Sequence, residues 1–398
     1  MTFAGKIKAA ARTVAAAAIF FMVFLMSYGA YADAPPEILF NGSAVASTAQ
    51  PFIEDGTTLI PMRSVFSAMG AEVTWDDKSF SAAAKKDGTE IVFAPGKKAL
   101  YKNGTEISLL KSPVIIDSTL FVPLRAVCES FGYTVSWDGE KNRINISSEQ
   151  PLRVRFFDCG QADSIFLELP DGRCMLIDGG EKKFGKELCE KIKALGYEKI
   201  DIMVATHPHA DHIGGLVTVL ENFKTDVFYM PNVTHTTKTF QNLLDALSEN
   251  GSECIYASRG TEVLTGDVKC RAVAPDGQKY ERMNNYSIVL KVEYNDVSLL
   301  FAGDSEALSE YSMVNSGMDI KSDVLKVAHH GSATSSTEEF LQKVSPKAAV
   351  ISVGRENQYG FPAPIVLSRL EALGTAVYRT DISGTINFET DGYVYKFE

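Results

Sequence analysis

The sequence predicts an α/β protein in which a small α+β repeat domain over residues 35–148 precedes a larger αββα sandwich over residues 152–398. Three observations carry this. A six-residue pattern in the first segment returns at a constant offset, strand-like and helix-like stretches alternate through the second, and three of the six histidines crowd into one loop after a buried strand. At 398 residues, with 45% hydrophobic and 22% charged side chains, the composition is globular, with room for two or three domains and a sizeable core. A net charge of −11 argues against a general polyanion-binding surface, so no stable nucleic-acid complex is expected.

Residues 1–32 read as an export signal. Lys6, Lys8 and Arg12 lead into an apolar run from Val14 to Met26, and Ala30-Tyr31-Ala32 is a small-residue cleavage pattern. An uncleaved membrane anchor is the competing reading, because Thr13 to Ala32 approaches the ~20 residues needed to cross a bilayer. Either reading places the rest of the chain outside the cytoplasm, secreted or associated with the cell wall. Six cysteines in an exported chain permit disulfides without fixing their pairing. No CxxC spacing occurs, and several cysteines sit in apolar strand-like stretches, which favours free buried thiols.

In the first domain, Thr58-Leu59-Ile60-Pro61-Met62-Arg63 returns as Leu120-Phe121-Val122-Pro123-Leu124-Arg125, and Gly70 and Trp75 recur as Gly132 and Trp137. Each copy predicts a strand, a Pro-led amphipathic helix, a Gly break and a strand ending in Trp-Asp. Regular repetition suits a shared packing role for Arg63, Arg125, Trp75 and Trp137. These residues resemble the copper amine oxidase N-terminal-like domain, and that resemblance implies a stalk or wall-associated module. No histidine precedes His207, so a copper site here would lack imidazole ligands. Contact with the cell wall is expected of this domain rather than chemistry.

Ser147-Ser148-Glu149-Gln150-Pro151 is a polar break and the expected domain boundary. Beyond it, strand-like runs at 152–158, 163–169 and 173–178 lead to an amphipathic helix near 182–195 and the buried strand Ile202-Met203-Val204-Ala205. Later strands near 253, 268, 286, 297, 323, 347, 376 and 385 alternate with helices near 213, 237, 306, 337 and 364. That layout suits two packed sheets with helices outside.

Thr206-His207-Pro208-His209-Ala210-Asp211-His212 packs four potential ligands into six residues directly after that buried strand. His207 and His209 alternate toward one side, while Asp211 and His212 turn toward a second ion. Neutral imidazoles and a carboxylate suit zinc, and an open position can hold a water whose pKa falls to about 7. Ligand type alone leaves manganese open.

HxHxDH after a strand is the signature of the metallo-β-lactamase superfamily, which residues 152–397 resemble. Within it the chain is similar to the ComEC-like hydrolase domain, through Phe157-Asp158-Cys159-Gly160-Gln161-Ala162-Asp163-Ser164, Leu176-Ile177-Asp178-Gly179-Gly180, Phe301-Ala302-Gly303-Asp304 and Leu325-Lys326-Val327-Ala328-His329-His330-Gly331-Ser332. The resemblance implies that Asp304 bridges two metals, that His329 is the distal ligand of the second, and that Asp163 and Asp178 brace the site. His330 is the alternative to His329, or a hydrogen-bond donor to substrate. The third histidine that many relatives give the first metal is missing, and Asn285 lies in its stretch. His235 reads as a loop histidine. Ser332 and the hydroxyls after it present either phosphate ligands or a plain helix N-cap.

Two departures fall on the presumed substrate side. Gly360-Phe361-Pro362-Ala363-Pro364 stands where the family carries Gly-His-Pro-His, and Ala333 stands where a polar residue is usual. The expectation is an exported hydrolase using a metal-bound hydroxide on two zinc or manganese ions, with Asp211 and His330 as catalytic candidates. A phosphodiester is the first choice of substrate. The alternatives are lactam, lactone or thioester hydrolysis, or a non-catalytic cell-wall binding protein.

Overall fold

The computed structural model describes residues 35–398 apart from 48 and 149, so the export signal and its cleavage site lie outside the described residues. Among the described residues, no helix is long and apolar enough to cross a membrane. The chain divides into two compact units. The first is built mainly from residues 43–127, and the second from residues 145–398 with two short earlier segments.

The repeat organises the first unit. The strand Thr57–Pro61 runs straight into the helix Met62–Met69, and the strand Thr119–Pro123 into the helix Leu124–Ser130. A proline stands at each junction, where its fixed φ and missing N–H suit a first helical turn. The two strands pair antiparallel, with Ile60 opposite Val122, Leu59 opposite Pro123 and Pro61 opposite Phe121. Since 122 − 60 = 62, the repeat offset, the pairing is locally two-fold about Ile60 and Val122, and the two strands bury the same positions. A second sheet is an antiparallel meander in chain order, from Glu72–Asp76 to Thr105–Ser108. The repeated Trp and Arg residues lie toward the surface of their domain. Arg63 and Arg125 are exposed, and Trp75 and Trp137 keep 39% and 45% of their surface in solvent. Trp75 packs edge-on against Phe80 and donates to Asp77.

The second unit is the αββα sandwich. One sheet has eight strands, in the order 253–256, 224–230, 199–204, 174–179, 164–168, 152–156, 386–390 and 395–397. The other has seven, running 262–264, 268–274, 289–294, 297–301, 324–326, 348–351 and 376–379. Strand alternation sorts their side chains between faces. Leu152, Val154 and Phe156 meet Leu290, Val292, Leu299 and Phe301 in the core between the sheets. On the outer face of the first sheet, Leu176, Met203 and Phe228 pack against Leu188, Ile213, Leu216 and Leu243 of the helices Gly185–Ala194, Ala210–Asn222 and Lys238–Asn250. Leu300, Leu325 and Ala349 of the second sheet do the same against Met313, Phe340 and Leu370 of Ala307–Val314, Glu338–Val344 and Pro364–Ala372. Cys159, Cys174, Cys189, Cys254 and Cys270 are free thiols, all but Cys254 buried.

Each sheet contains a parallel run, 174–179 to 253–256 in one and 297–301 to 376–379 in the other. Ile288 donates to the Thr206 carbonyl at 2.9 Å, so the carboxyl end of one run is tied to the second sheet. Ligand sites in α/β sheets sit outside the carboxyl ends of strands.

Candidate metal centre

The strand Lys199–Val204 delivers Thr206 and His207 to this edge, and His209 stands at the N-cap of the helix Ala210–Asn222. Asp211 and His212 therefore occupy the first turn, where a carboxylate complements the helix dipole. Glycine is required just beyond them. A Cβ on Gly215 would lie 1.9 Å from the Gly179 carbonyl oxygen, and one on Gly214 would lie 2.5 Å from the Lys182 nitrogen. Without side chains there, the helix presses onto the end of the strand Cys174–Gly179 and brings His212 against Asp178.

His207 Nε2 and His209 Nδ1 converge to 2.9 Å. Beside them, Asp211, His212, Asp304 and His330 each offer a ligand atom, all within 4.8 Å of one another. Asp304 stands between the two groups, its Oδ2 3.9 Å from His207 Nε2 and its Oδ1 3.4 Å from His212 Nε2. Among the described residues, His212 Nε2, His330 Nε2 and Asp304 Oδ1 are buried with no hydrogen-bond partner. A buried polar atom left unsatisfied costs about 1–3 kcal/mol. Three of them facing one another, with imidazole and carboxylate donors, fit a divalent cation.

The electrostatics agree. Burial pushes His207 well below the usual histidine range, leaving the neutral ring that can ligate. Burial also disfavours the charged form of His330, but Asp304 and Asp163 outweigh it and raise the ring to about 10. His212 is raised well above its usual value by Asp304, Asp178 and Asp211, again against burial. Asp304 is held well below the carboxylate range by His212 and His330 although burial opposes this. Clustered carboxylates thus hold positive charge at this place, which protons supply when no metal does.

The groups behind the quartet fix its orientation. Buried Asp178 accepts from the Thr206 backbone at 2.8 Å, the Thr206 hydroxyl at 2.7 Å and His212 Nδ1 at 2.7 Å, leaving His212 Nε2 to face Asp304. His330 Nδ1 donates to the Ser352 carbonyl at 2.9 Å and lies 3.4 Å from Asp163. Asp163 is in turn paired with buried Lys326 at 2.5 Å.

Three sequence expectations are corrected here. The turn Ala328–Gly331 holds His329 at φ 50° and His330 at φ 55°, and these left-handed conformations swing His330, not His329, into the quartet. His329 is 22% exposed at the mouth, with Nε2 3.8 Å from Asp304 and Nδ1 3.1 Å from the Thr334 hydroxyl. Asn285 does not face the centre, because its Oδ1 accepts from the backbones of Glu306 and Ser309. Its neighbour Asn284 does, with Nδ2 3.3 Å from His329 Nε2. Ser332 spends its hydroxyl on Thr334 within its own turn. His235, read as a loop histidine, lies T-shaped against His209 with ring centres 5.9 Å apart.

Thr206, Lys326, Glu306 and Ser352 are the residues that sequence reasoning missed. Lys326 carried a signal, being a lone cation in the apolar strand Val324–Lys326. Glu306 is 6% exposed and gathers Asn284, Thr334 and His329 at 3.2–3.7 Å.

Comparison with known proteins agrees with both halves of the fold. Residues 39–146 match the family model for the copper amine oxidase N-terminal domain, and residues 157–355 match that for the metallo-beta-lactamase superfamily. The ComE operon protein 3 of Bacillus subtilis (strain 168) is 33% identical over 261 residues, 61% of this chain and 34% of that protein. The recombination protein 2 of Haemophilus influenzae is 30% identical over 251 residues, 61% of this chain and 30% of that one. Competence protein ComA of Neisseria gonorrhoeae is 30% identical over 254 residues, 60% and 32% of the two chains. The match thus spans about a third of each relative's length. With its superfamily model covering half the chain and the site residues gathered at the carboxyl ends of its strands, the chain belongs to the metallo-beta-lactamase superfamily, in the company of the ComEC-like competence proteins.

Proposed function

We propose that the chain is an exported metal-dependent phosphodiesterase. The observation that carries this is the juxtaposition of the His207–His209 pair with the Asp211, His212, Asp304 and His330 quartet, three of whose buried atoms lack partners. His207 and His209 would hold one zinc or manganese ion and Asp211, His212 and His330 a second, with Asp304 shared between them. When bound, such ions polarise a phosphoryl oxygen and lower the pKa of a coordinated water to about 7.

The protein's own groups divide the remaining work. Asp178 fixes the His212 tautomer, and the Lys326–Asp163 pair stands behind His330; partners of this kind hold ligating rings in orientation. His330 commits Nδ1 to Ser352 and is 2% exposed, which suits a ligand rather than the catalytic role first expected of it. His329 takes that role. It is partly exposed, adjoins Asp304, and is steadied by Thr334, so it is placed to give a proton to a departing alkoxide. Asp211, one-third exposed and beside His212 and His330, is placed to orient a water at the centre.

A phosphodiester is favoured because paired ions offset phosphate charge that an acidic protein would repel, and because the relatives' names concern competence and recombination. Export rests on the N-terminal pattern, and wall contact on the repeat unit. Purified protein assayed with bis-p-nitrophenyl phosphate and a chromogenic β-lactam, with and without chelator, tests the reading. Chelator-sensitive phosphodiester turnover is expected. Turnover of the lactam alone would move the function to the acyl class, and turnover of neither would leave a binding protein.

A further inference from the structure

The segment 354–363, in which family histidines are replaced, forms a built surface rather than a loose loop. Asn357 Nδ2 donates to the carbonyls of Gly354 at 3.0 Å and Phe361 at 2.8 Å, and its Oδ1 accepts from the Phe361 backbone at 2.9 Å. Ala363 donates to the Gly331 carbonyl at 2.8 Å, so the segment is stitched to the turn that carries His329 and His330. Gly331 has φ +82°, and a Cβ on it would lie 2.6 Å from the Pro362 Cβ, which shows how closely the two backbones approach.

On this pinned segment, Tyr359 and Phe361 stack nearly parallel, with ring centres 5.5 Å apart and 19° between planes. Phe361 then meets the His329 ring edge-on at 5.8 Å. Tyr359 is 61% exposed, so its outer face is open to solvent. The order is therefore an open aromatic face, a second aromatic ring, His329, and Asp304 at 3.8 Å. A flat apolar platform set rigidly beside a centre for phosphate chemistry has no part in ligating ions or moving protons.

We propose that Tyr359 and Phe361 form a stacking platform for a nucleobase next to the scissile phosphodiester, making the preferred substrate a nucleotide diester rather than a polyol phosphate. This rests on the phosphodiester reading. Among phosphodiesters, nucleotides carry a planar π-face beside the phosphate, and stacking on an aromatic ring tolerates any base. Glycerol or ribitol phosphate chains offer no planar ring. Tyr359 is the exposed ring of the pair, and half-buried Phe361, packed against the core beneath, backs it.

The test compares a dinucleoside monophosphate with glycerophosphoglycerol on metal-loaded full chain, wild type against Tyr359→Ala and Tyr359→Phe. The kcat/KM ratio of dinucleotide over glycerophosphoglycerol is expected to fall about tenfold in Tyr359→Ala, the scale of one base stack, and to stay near wild type in Tyr359→Phe. A ratio unmoved by Tyr359→Ala overturns the proposal, as does a wild-type preference for glycerophosphoglycerol. Binding is read separately in Tyr359→Trp, where nucleoside monophosphate should quench the added indole fluorescence with or without metal. Absence of quenching at millimolar nucleotide overturns the platform. Quenching in a protein that cleaves neither diester supports the platform while sinking the phosphodiesterase reading, so the two failures are distinguishable.

Discussion

Removing the Asp178 carboxylate is the sharpest perturbation of the groups behind the metal centre. Asp178 is fully buried and accepts three hydrogen bonds of 2.7–2.8 Å, two from Thr206 and one from His212. Asp178→Ala strands three buried donors at about 1–3 kcal/mol each, though relaxation and water entry reduce the sum, and about 3–5 kcal/mol of destabilisation is expected. Loss of a group that orients a ligating histidine typically costs 10–100-fold in metal affinity. Wild type at a metal concentration of 100 Kd gains about 2.7 kcal/mol from binding, and the variant at the same concentration should forfeit about 1.3–2.3 kcal/mol of that. Asp178→Asn separates the two effects. It keeps the shape but presents an NH2 to His212 Nδ1, favouring the tautomer whose Nε2 carries the proton and cannot ligate. The assay is urea unfolding with and without zinc, alongside zinc affinity by competition with a chromophoric chelator. An Asp178→Asn protein that binds zinc as tightly as wild type would contradict a role for Asp178 in fixing the His212 tautomer.

His330→Ala should lose the second metal, whereas His329→Ala should retain both and lose about 10²-fold in kcat; metal analysis beside kinetics decides which histidine is which. Lys326→Met leaves buried Asp163 with only His330 beside it and should cost about 3 kcal/mol by urea unfolding. Against the burial that would raise it, Asp163 is held at about 2 by Lys326 and His330, so its depressed pKa contributes stability that is present above the unfolded value of about 3.9 and lost as pH falls toward 2. That acid limb should flatten in Lys326→Met. His330 runs the other way. Raised to about 10, it stabilises the metal-free protein fully below pH ~6.5 and loses that contribution as pH climbs through 10, so metal binding at pH 8 should release protons, measurable by calorimetry in buffers of different ionisation enthalpy.

Much of this was legible because periodicity and spacing report local constraints. The repeat offset became a two-fold strand pairing about Ile60 and Val122, and HxHxDH became a strand end followed by a helix first turn. Strands such as Lys224–Met230 were missed because Asp226 interrupts the apolar run. The choice between His329 and His330 was not legible, since two residues following the same strand differ only through a left-handed turn that glycine does not announce. Asn284 and Asn285 posed the same problem, resolved only by the backbone donors of Glu306 and Ser309 that Asn285 meets. Lys326 and Glu306 act through residues distant in sequence, and no local pattern encodes that. The recurrence of the tryptophans marks a shared backbone position and leaves open how much of each ring faces solvent, which is 39% for Trp75 and 45% for Trp137.

Side chains from three separate stretches would share a pair of cations through Asp304. Plasma mass spectrometry on protein loaded with zinc and then dialysed measures this directly, with wild type beside Asp304→Ala. About two ions per chain in wild type, falling to one or none in Asp304→Ala, is the result expected of a bridged two-metal site. A wild-type protein that retains no metal, or an Asp304→Ala protein that retains as much as wild type, would contradict it.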